Sequence, residues 1–99
     1  MIIRMVTYHA LDGKDVERWM QTSALELRCV PGMRHLEFIR SKTNPSQYGA
    51  IMHFRTMEDL DQYKSKESGT YQKLVRSIRE TWMDNTKPVE EQVFEILDI

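Results

Sequence analysis

Hydrophobic and polar positions alternate along the chain in a way that predicts strands and helices in turn. Residues 2–9 are rich in β-branched and aromatic side chains and are too few for a good helix, so they predict a first strand. Apolar side chains then recur at helical spacing from about Gly13 to Val30. Asp12 is the expected N-cap of this helix, and Asp15 adds negative charge where the helix dipole favours it.

A joint at residues 30–33, with the sequence Val-Pro-Gly-Met, ends the first helix and opens a second strand. Proline cannot continue the helical hydrogen-bond ladder, and glycine lets the backbone turn sharply. Residues 34–40 then alternate as in a strand. Polar turn formers at residues 41–46 lead into a third strand at about residues 47–55, so the two strands are predicted to form a hairpin.

The remaining segments predict two further helical stretches and a last strand. Residues 56–59 fit the pattern of a hydroxyl N-cap followed three positions later by an acid, which opens a short helix carrying Leu60 and Tyr63. Ser68-Gly69 interrupts that helix, and a second helical stretch begins near Thr70.

A partial alternation over residues 89–99, after a turn at residues 85–88, predicts the fourth strand. The order β-α-β-β-α-β most simply gives a four-stranded antiparallel sheet with the helices on one face, which is a ferredoxin-like α+β fold. Right-handed crossovers would place the first and third strands in the centre. One domain is expected over residues 1–99.

Composition and charge narrow the classes of function. The 99 residues are 40% hydrophobic and 29% charged with a net charge of −1, which gives no global attraction to nucleic acid or to an anionic membrane. There is neither an apolar run of membrane-spanning length nor the pattern of a signal peptide, so we expect a cytoplasmic protein. The single cysteine, Cys29, excludes an internal disulfide and a cysteine-based zinc cluster.

The two faces of the predicted sheet differ in character. One parity of the second and third strands is apolar enough to meet the helices, namely Leu36, Phe38, Tyr48, Ala50, Met52 and Phe54. The other parity mixes apolar and polar side chains, namely Met33, His35, Glu37, Ile39, Gln47, Gly49, Ile51, His53 and Arg55, with Ile3, Met5, Thr7 and His9 of the first strand. A second copy would cover this mixed face, so we predict a homodimer burying at least about 1,600 Å².

The element order, the joint at residues 30–33, the hairpin and the segment 54–63 together resemble the antibiotic biosynthesis monooxygenase domain family. The resemblance covers nearly the whole chain. It implies a dimeric α/β barrel with a pocket between sheet and helices. It also suggests oxidation of an aromatic, quinol-like substrate by molecular oxygen without metal or flavin, and therefore no cofactor.

The chain departs from the family pattern at several working positions. A tryptophan that is common at the end of the third strand aligns with Phe54, and the strand asparagine of cofactor-free quinone-forming members falls near Ala50. At the positions of the functional residues of haem-degrading members, this chain instead has Val6, Tyr63 and either Gln72 or Lys73. The resemblance therefore implies that haem degradation by that set is disfavoured.

A histidine pair is the clearest local signal for chemistry. If the hairpin pairs about residues 43–44 or one residue later, His35 and His53 lie nearly opposite each other on one face. Histidine can act as a general base near neutral pH, which suits deprotonation of a phenol or quinol, and Glu37 could orient one imidazole. Alternatively, the pair only forms a hydrogen bond across a dimer interface. Two histidines and Glu37 could also make a facial metal triad, but no third ligand is certain to converge, so no metal is predicted.

Aromatic side chains could line a pocket, although at helical spacing they more often form core. Tyr63 and Tyr71 are the favoured pocket residues because their helices flank the Ser68-Gly69 break, and Phe54 and Ile51 complete the predicted substrate-binding set. An inward-facing arginine could hold an anionic substrate. The candidates on the helix-facing parity are Arg4, Arg34 and Arg40.

Three functions are compatible with these features. The leading hypothesis is a monooxygenase acting on a hydroxyaromatic compound, with His35 or His53 as the base. The alternative is a non-catalytic dimeric module that binds a small apolar or aromatic ligand. A third class is haem binding without breakdown, through His9, His35 or His53.

Overall fold

A computed structural model describes residues 1–65 and 69–99 and places a four-stranded sheet beside three helices. The strands are β1 (Ile2–His9), β2 (Met33–Arg40), β3 (Gln47–Phe54) and β4 (Glu90–Glu95). The helices are α1 (Val16–Arg28), α2 (Met57–Lys64) and α3 (Gly69–Ser77), and α3 continues into a π-helical turn at Ile78–Trp82. Of the predicted helix break, Ser68 lies outside the described residues and Gly69 begins α3.

The sheet has the strand order β2-β3-β1-β4, and every pair of neighbours is antiparallel. This confirms the predicted ferredoxin-like α+β arrangement with the first and third strands in the centre. Ile3 lies opposite His53 on one side and Phe94 on the other. His53 in turn pairs with His35, so four side chains form one row across the sheet.

The turn at residues 30–33 has the geometry that a proline-glycine pair favours. The Met33 amide donates to the Val30 carbonyl over 3.1 Å, and Gly32 has a φ of +81°. A turn with proline at its second position and a positive φ at its third position is a type II turn. The Arg55 amide also donates to the Gly32 carbonyl over 2.9 Å, which ties the turn to the end of β3.

The start of α1 differs from the prediction. The N-cap is Asp15, whose Oδ1 accepts a hydrogen bond from the Arg18 amide over 3.3 Å, and the helix begins at Val16. Asp12 is not the cap, because Gly13 has a φ of +78° and the chain still turns there. The predicted N-cap of α2 is confirmed, since Thr56 accepts a hydrogen bond from the Asp59 amide.

The fourth strand is shorter than predicted. It covers Glu90–Glu95, whereas the alternation extended to Ile99. Within the described residues its one neighbour in the sheet is β1, which begins at Ile2 opposite Glu95. Beyond that position the Ile96 amide donates to the Met1 carbonyl.

The core lies between the sheet and the helices, as the helix-facing parity predicted. Its largest fully buried side chains are Phe54, Leu27, Leu60 and Val16. The prediction that Met33 lies on the mixed face of the sheet is wrong. A register irregularity between Met33 and His35 places Met33 opposite Phe54, and its side chain packs on the helix-side core.

The opposite face of the sheet, which we call the open face, carries no packed helix among the described residues. Its apolar side chains are only partly buried, namely Ile3, Met5, Ile39, Ile51 and Phe94, the last 48% exposed. Within residues 1–65 and 69–99, none of the helices is long and apolar enough to cross a bilayer.

Candidate functional site

A cavity of about 150 Å³ lies between the helix-facing side of the sheet and the helices. Residues of all four strands and of α1, α2, α3 and the π-helical turn line it. Five aromatic residues line it, namely Tyr8, Trp19, Phe38, Tyr63 and Tyr71. An engineered cavity of roughly this size in another protein holds a benzene molecule, so this one suits a single aromatic ring.

Arg4 places a positive charge at the cavity wall. Its side chain is only 6% exposed, and its Nη2 atom lies 3.1 Å from the Glu91 Oε2 atom. The guanidinium carbon lies 5.8 Å from the centroid of the Tyr71 ring, within the range of a cation–π contact. Arg4 therefore combines a buried charge with an aromatic surface, and both line the cavity.

Glu91 is shared between two cations. It accepts one hydrogen bond from Arg4 and another from the Lys64 Nζ atom. Burial alone would raise the pKa of Glu91, but the hydrogen bonds and charges of Lys64 and Arg4 outweigh burial and hold the pKa below its usual value. Arg79 also lines the cavity. The three cations Arg4, Lys64 and Arg79 therefore outnumber the one carboxylate, Glu91.

Two buried polar atoms at the cavity wall have no hydrogen-bond partner among the described residues, the Nε atom of Arg4 and the hydroxyl oxygen of Tyr8. Most buried polar groups in proteins are hydrogen-bonded, so an unpaired one calls for a missing partner. Burial, followed by the nearby Tyr48, raises the pKa of Tyr8 well above its usual range. Tyr8 is therefore a neutral hydroxyl near pH 7.

The aromatic wall is a cluster of rings in edge-to-face and tilted contact. The Tyr63 ring lies 5.1 Å from the Tyr71 ring in an edge-to-face arrangement and 5.6 Å from the Phe54 ring, between centroids. Burial is the largest influence on Tyr63 and raises its pKa to about 12, against an opposing effect of Arg4. Tyr63 and Tyr71 line the cavity, whereas Phe54 is fully buried behind Tyr63 and does not reach the lining.

The histidine pair has the geometry that the hairpin register predicted. His35 and His53 are directly paired, and their rings lie 5.3 Å apart between centroids. The Glu37 Oε1 atom is 3.4 Å from the His35 Nε2 atom and 3.8 Å from the His53 Nε2 atom. Across the described residues, no group of three such side chains is arranged to hold a metal ion.

The predicted site residues therefore fall into two groups on opposite faces of the sheet. Tyr63 and Tyr71 belong to the cavity. His35, His53 and Glu37 lie on the open face with Ile51, which pairs with Glu37. No histidine lines the cavity among the described residues, so the cavity offers no imidazole to haem iron. The roles assigned to these side chains stay predictions.

Sequence reasoning included Tyr8 among the aromatic residues that could line a pocket, left Arg4 as one of three possible inward arginines, and did not single out Glu91. Arg4 carried a usable signal, because a charged residue at a helix-facing position of a central strand must be buried and paired. Glu91 had no such signal. Its approach to Arg4 depends on the pairing of β4 with β1, which joins residues far apart in the chain.

The fold is similar to solved structures along nearly its whole length. One, provisionally named an antibiotic biosynthesis monooxygenase, comes from Nitrosomonas europaea. It has a TM-score of 0.78, 16% identity and coverage of 98% of this chain and 99% of that chain. A protein from Deinococcus radiodurans with the same provisional name gives a TM-score of 0.75 at 11% identity, over 100% of this chain and 95% of that chain.

A variant of SnoaB, a cofactor-independent oxygenase from Streptomyces nogalater, gives a TM-score of 0.72 at 13% identity, over 99% of this chain and 95% of that chain. The chain has the fold of these proteins. This confirms, at the level of the fold, the resemblance to the antibiotic biosynthesis monooxygenase domain family. No protein-family model matches the sequence, and no curated protein matches it either.

Proposed function

We propose that this protein is a small-molecule monooxygenase that oxidises a single-ring hydroxyaromatic compound with molecular oxygen, without metal or flavin. The observation that carries the proposal is the buried Arg4 beside an aromatic cavity of about 150 Å³. The reaction balances as phenol plus O₂ giving quinone plus water. One oxygen atom becomes the second quinone oxygen, and the other leaves in water with the two displaced hydrogens.

Arg4 supplies the electrostatic part of the mechanism. A phenolate gives an electron to O₂ more readily than a phenol does, and a buried cation next to the ring favours the phenolate. The aromatic walls hold the ring and exclude water, which strengthens the interaction with Arg4. Tyr8 and Tyr63 have raised pKa values and so act as hydrogen-bond donors to the substrate oxygens.

The fate of the phenol proton separates two versions of the proposal. Within the described lining, Glu91 is the one carboxylate, and its lowered pKa makes it a weak base. An imidazole is a stronger base than a carboxylate, and Glu37 could orient His35 or His53. These histidines lie on the other side of the sheet from the cavity, so they would act only on a substrate bound at the open face. In the cavity version Arg4→Gln must lose activity, and in the open-face version the histidine variant must lose it.

Oxygen consumption with a panel of single-ring phenols and hydroquinones tests the proposal. Wild-type protein should consume oxygen above the rate of buffer, and Arg4→Gln should lower kcat by about tenfold to hundredfold, because a charge-assisted hydrogen bond is lost. Arg34→Gln, an exposed arginine on β2, is the matched control. A double variant, His35→Gln with His53→Gln, should keep its activity if the cavity is the site.

Loss of turnover in the histidine variant alone would move the reaction to the open face. Absence of oxygen uptake with every phenol, together with tight binding of one, would instead support a second candidate function. This is a non-catalytic module that binds a small aromatic ligand. The lack of a strong base in the described cavity lining favours it.

The open face supports the further proposal of a homodimer, in which a second copy covers Ile3, Met5, Ile39, Ile51 and Phe94. Such a row of partly exposed apolar side chains on a sheet is typical of an interface, and two-fold pairing is the commonest form of homo-oligomer. The cytoplasmic location expected from the sequence stays a prediction.

A further inference from the structure

We infer that the cavity ligand is polar at both ends, with an ionised oxygen group at Arg4, a neutral hydrogen-bond acceptor at Tyr8 and one ring between them. The inference rests on the proposed function only in taking this cavity as the ligand site. It goes further in assigning a chemical group to each end of the ligand. Two unpaired buried atoms carry it, the Nε atom of Arg4 and the hydroxyl of Tyr8.

The Arg4 end suits an anion. Arg4 is almost fully buried. Glu91 occupies its Nη2 atom, and in the described part of the chain the hydrogen-bond partner of Nη1 is the Met52 sulfur at 3.6 Å. Guanidinium groups bind carboxylates and other oxyanions through several N–H groups at once, so Arg4 has donors left over. A ligand oxygen would give them the partner that the described residues do not.

The charges around Arg4 leave room for one negative group. Glu91 is also bound by Lys64, so one carboxylate stands against two cations within this cluster. Arg79, at the cavity wall, adds a further positive charge. Of these three cations only Arg4 is buried, and its carboxylate partner is shared with Lys64, so a monoanionic ligand would give Arg4 a second negative partner.

The Tyr8 end suits a neutral oxygen. Tyr8 is 6% exposed, and its hydroxyl can donate one hydrogen bond and accept others. Among the described residues no cation is hydrogen-bonded to the Tyr8 hydroxyl, and burial suppresses its ionisation. A ligand hydroxyl or carbonyl would therefore be held there as an acceptor.

The spacing along β1 sets the length of the ligand. Arg4 and Tyr8 are four residues apart and point to the same face, so their Cα atoms are about 13 Å apart along the strand. Val6 lies between them and lines the same cavity. A ring with oxygen groups at opposite positions, held by a hydrogen bond at each end, would join the two polar groups over Val6.

Binding of matched single-ring probes, measured by calorimetry without turnover, tests the inference. The probes are 4-hydroxybenzoate, its neutral analogue 4-hydroxybenzamide, benzoate and 3-hydroxybenzoate. We expect 4-hydroxybenzoate to bind at least about tenfold more tightly than each of the other three, because each lacks one end group or misplaces it.

Two variants assign the preferences to their residues. Arg4→Gln should abolish the preference for the acid over the amide, and Tyr8→Phe should abolish the preference for 4-hydroxybenzoate over benzoate. Arg34→Gln should keep both preferences. Tyr8→Phe removes a hydroxyl without a described partner, so it should fold as the wild type does even if Arg4→Gln does not.

Equal affinities for the acid and the amide, or unchanged preferences in Tyr8→Phe, would overturn the inference. Oxygen uptake measured in parallel separates it from the proposed function. Turnover of phenols with no end-group preference would contradict the inference alone. The expected preferences without oxygen uptake would contradict the monooxygenase proposal alone.

Discussion

At the scale of single residues, the protein is defined by polar groups placed among aromatic ones. Arg4 belongs to an apolar strand and is buried, and its charge is compensated by Glu91 from the edge strand. Tyr8 and Tyr63 are buried with raised pKa values. A buried cation is stable in such a setting because the ion pair and the Tyr71 ring replace part of its hydration.

The buried tyrosines predict a loss of stability at high pH. The pKa of Tyr63 rises from 10.0 to about 12 on folding, so between these values the unfolded chain releases a proton that the folded chain keeps. The stabilisation is complete below pH 10.0 and is lost as the pH rises through the folded value. Urea unfolding should therefore show a lower free energy of unfolding at pH 11 than at pH 9.

The variant Tyr63→Phe checks the assignment. It should weaken the dependence of the free energy of unfolding on pH in this range, and a double variant that also carries Tyr8→Phe should weaken it further. A pH dependence identical to that of the wild type in both variants would show that these phenols are not its source.

At the scale of the elements, the type II turn between α1 and β2 links two parts of the fold. Gly32 has a positive φ, and a Cβ atom built there would overlap the Asp59 side chain. Asp59 is held in place by hydrogen bonds from Arg55 and Thr56 at the start of α2. The turn therefore needs glycine for its backbone angle and for the close approach of α2.

Two glycine variants separate these requirements. Gly13→Ala tests the backbone requirement alone, because Gly13 has a φ of +78° and open space around a Cβ atom. This variant should cost about 1 kcal/mol of stability. Gly32→Ala adds the overlap and should cost about 2–4 kcal/mol. Chemical denaturation measures both, and equal costs would mean that Asp59 moves away freely.

At the scale of the whole molecule, the two faces of one sheet differ in what covers them. The helix-facing side builds the core and the cavity, and the open face keeps partly exposed apolar side chains around the His35–His53 pair. A proposed dimer explains this second face. The histidines and Glu37 would then lie in or beside the interface, and Arg4 would work within its own copy of the chain.

A single charge on the open face should dissociate the proposed dimer. Ile51→Glu puts a carboxylate on the central strand β3 beside Glu37, where burial in an interface would be costly. Sedimentation should show a dimer for the wild type and a monomer for this variant. Leu25→Glu, which changes an exposed residue of α1, is the control and should remain dimeric. A monomeric wild type at micromolar concentration would contradict the proposal.

Local signals were enough to predict the elements and the strand order, and they offered a hairpin register that pairs His35 with His53, which the structure has. The proline-glycine joint, the turn formers at residues 41–46 and the Thr56 cap each act within a few residues, and alternation sets which face a side chain occupies. Local competition also explains the errors. Asp15 was preferred to Asp12 as the cap, and an irregularity in β2 moved Met33 to the core.

By itself, the sequence determined the ferredoxin-like fold and limited the pairing of His35 with His53 to one range of hairpin registers, because strand period and turn position are short-range properties. Only the tertiary structure decided that Tyr63 and Tyr71 share a cavity with Arg4 while the histidines lie behind the sheet. It also joined Arg4 to Glu91, which is 87 residues away in the chain. Such a contact follows from the docking of whole strands and helices, and no local pattern encodes the distance between two charges that meet this way.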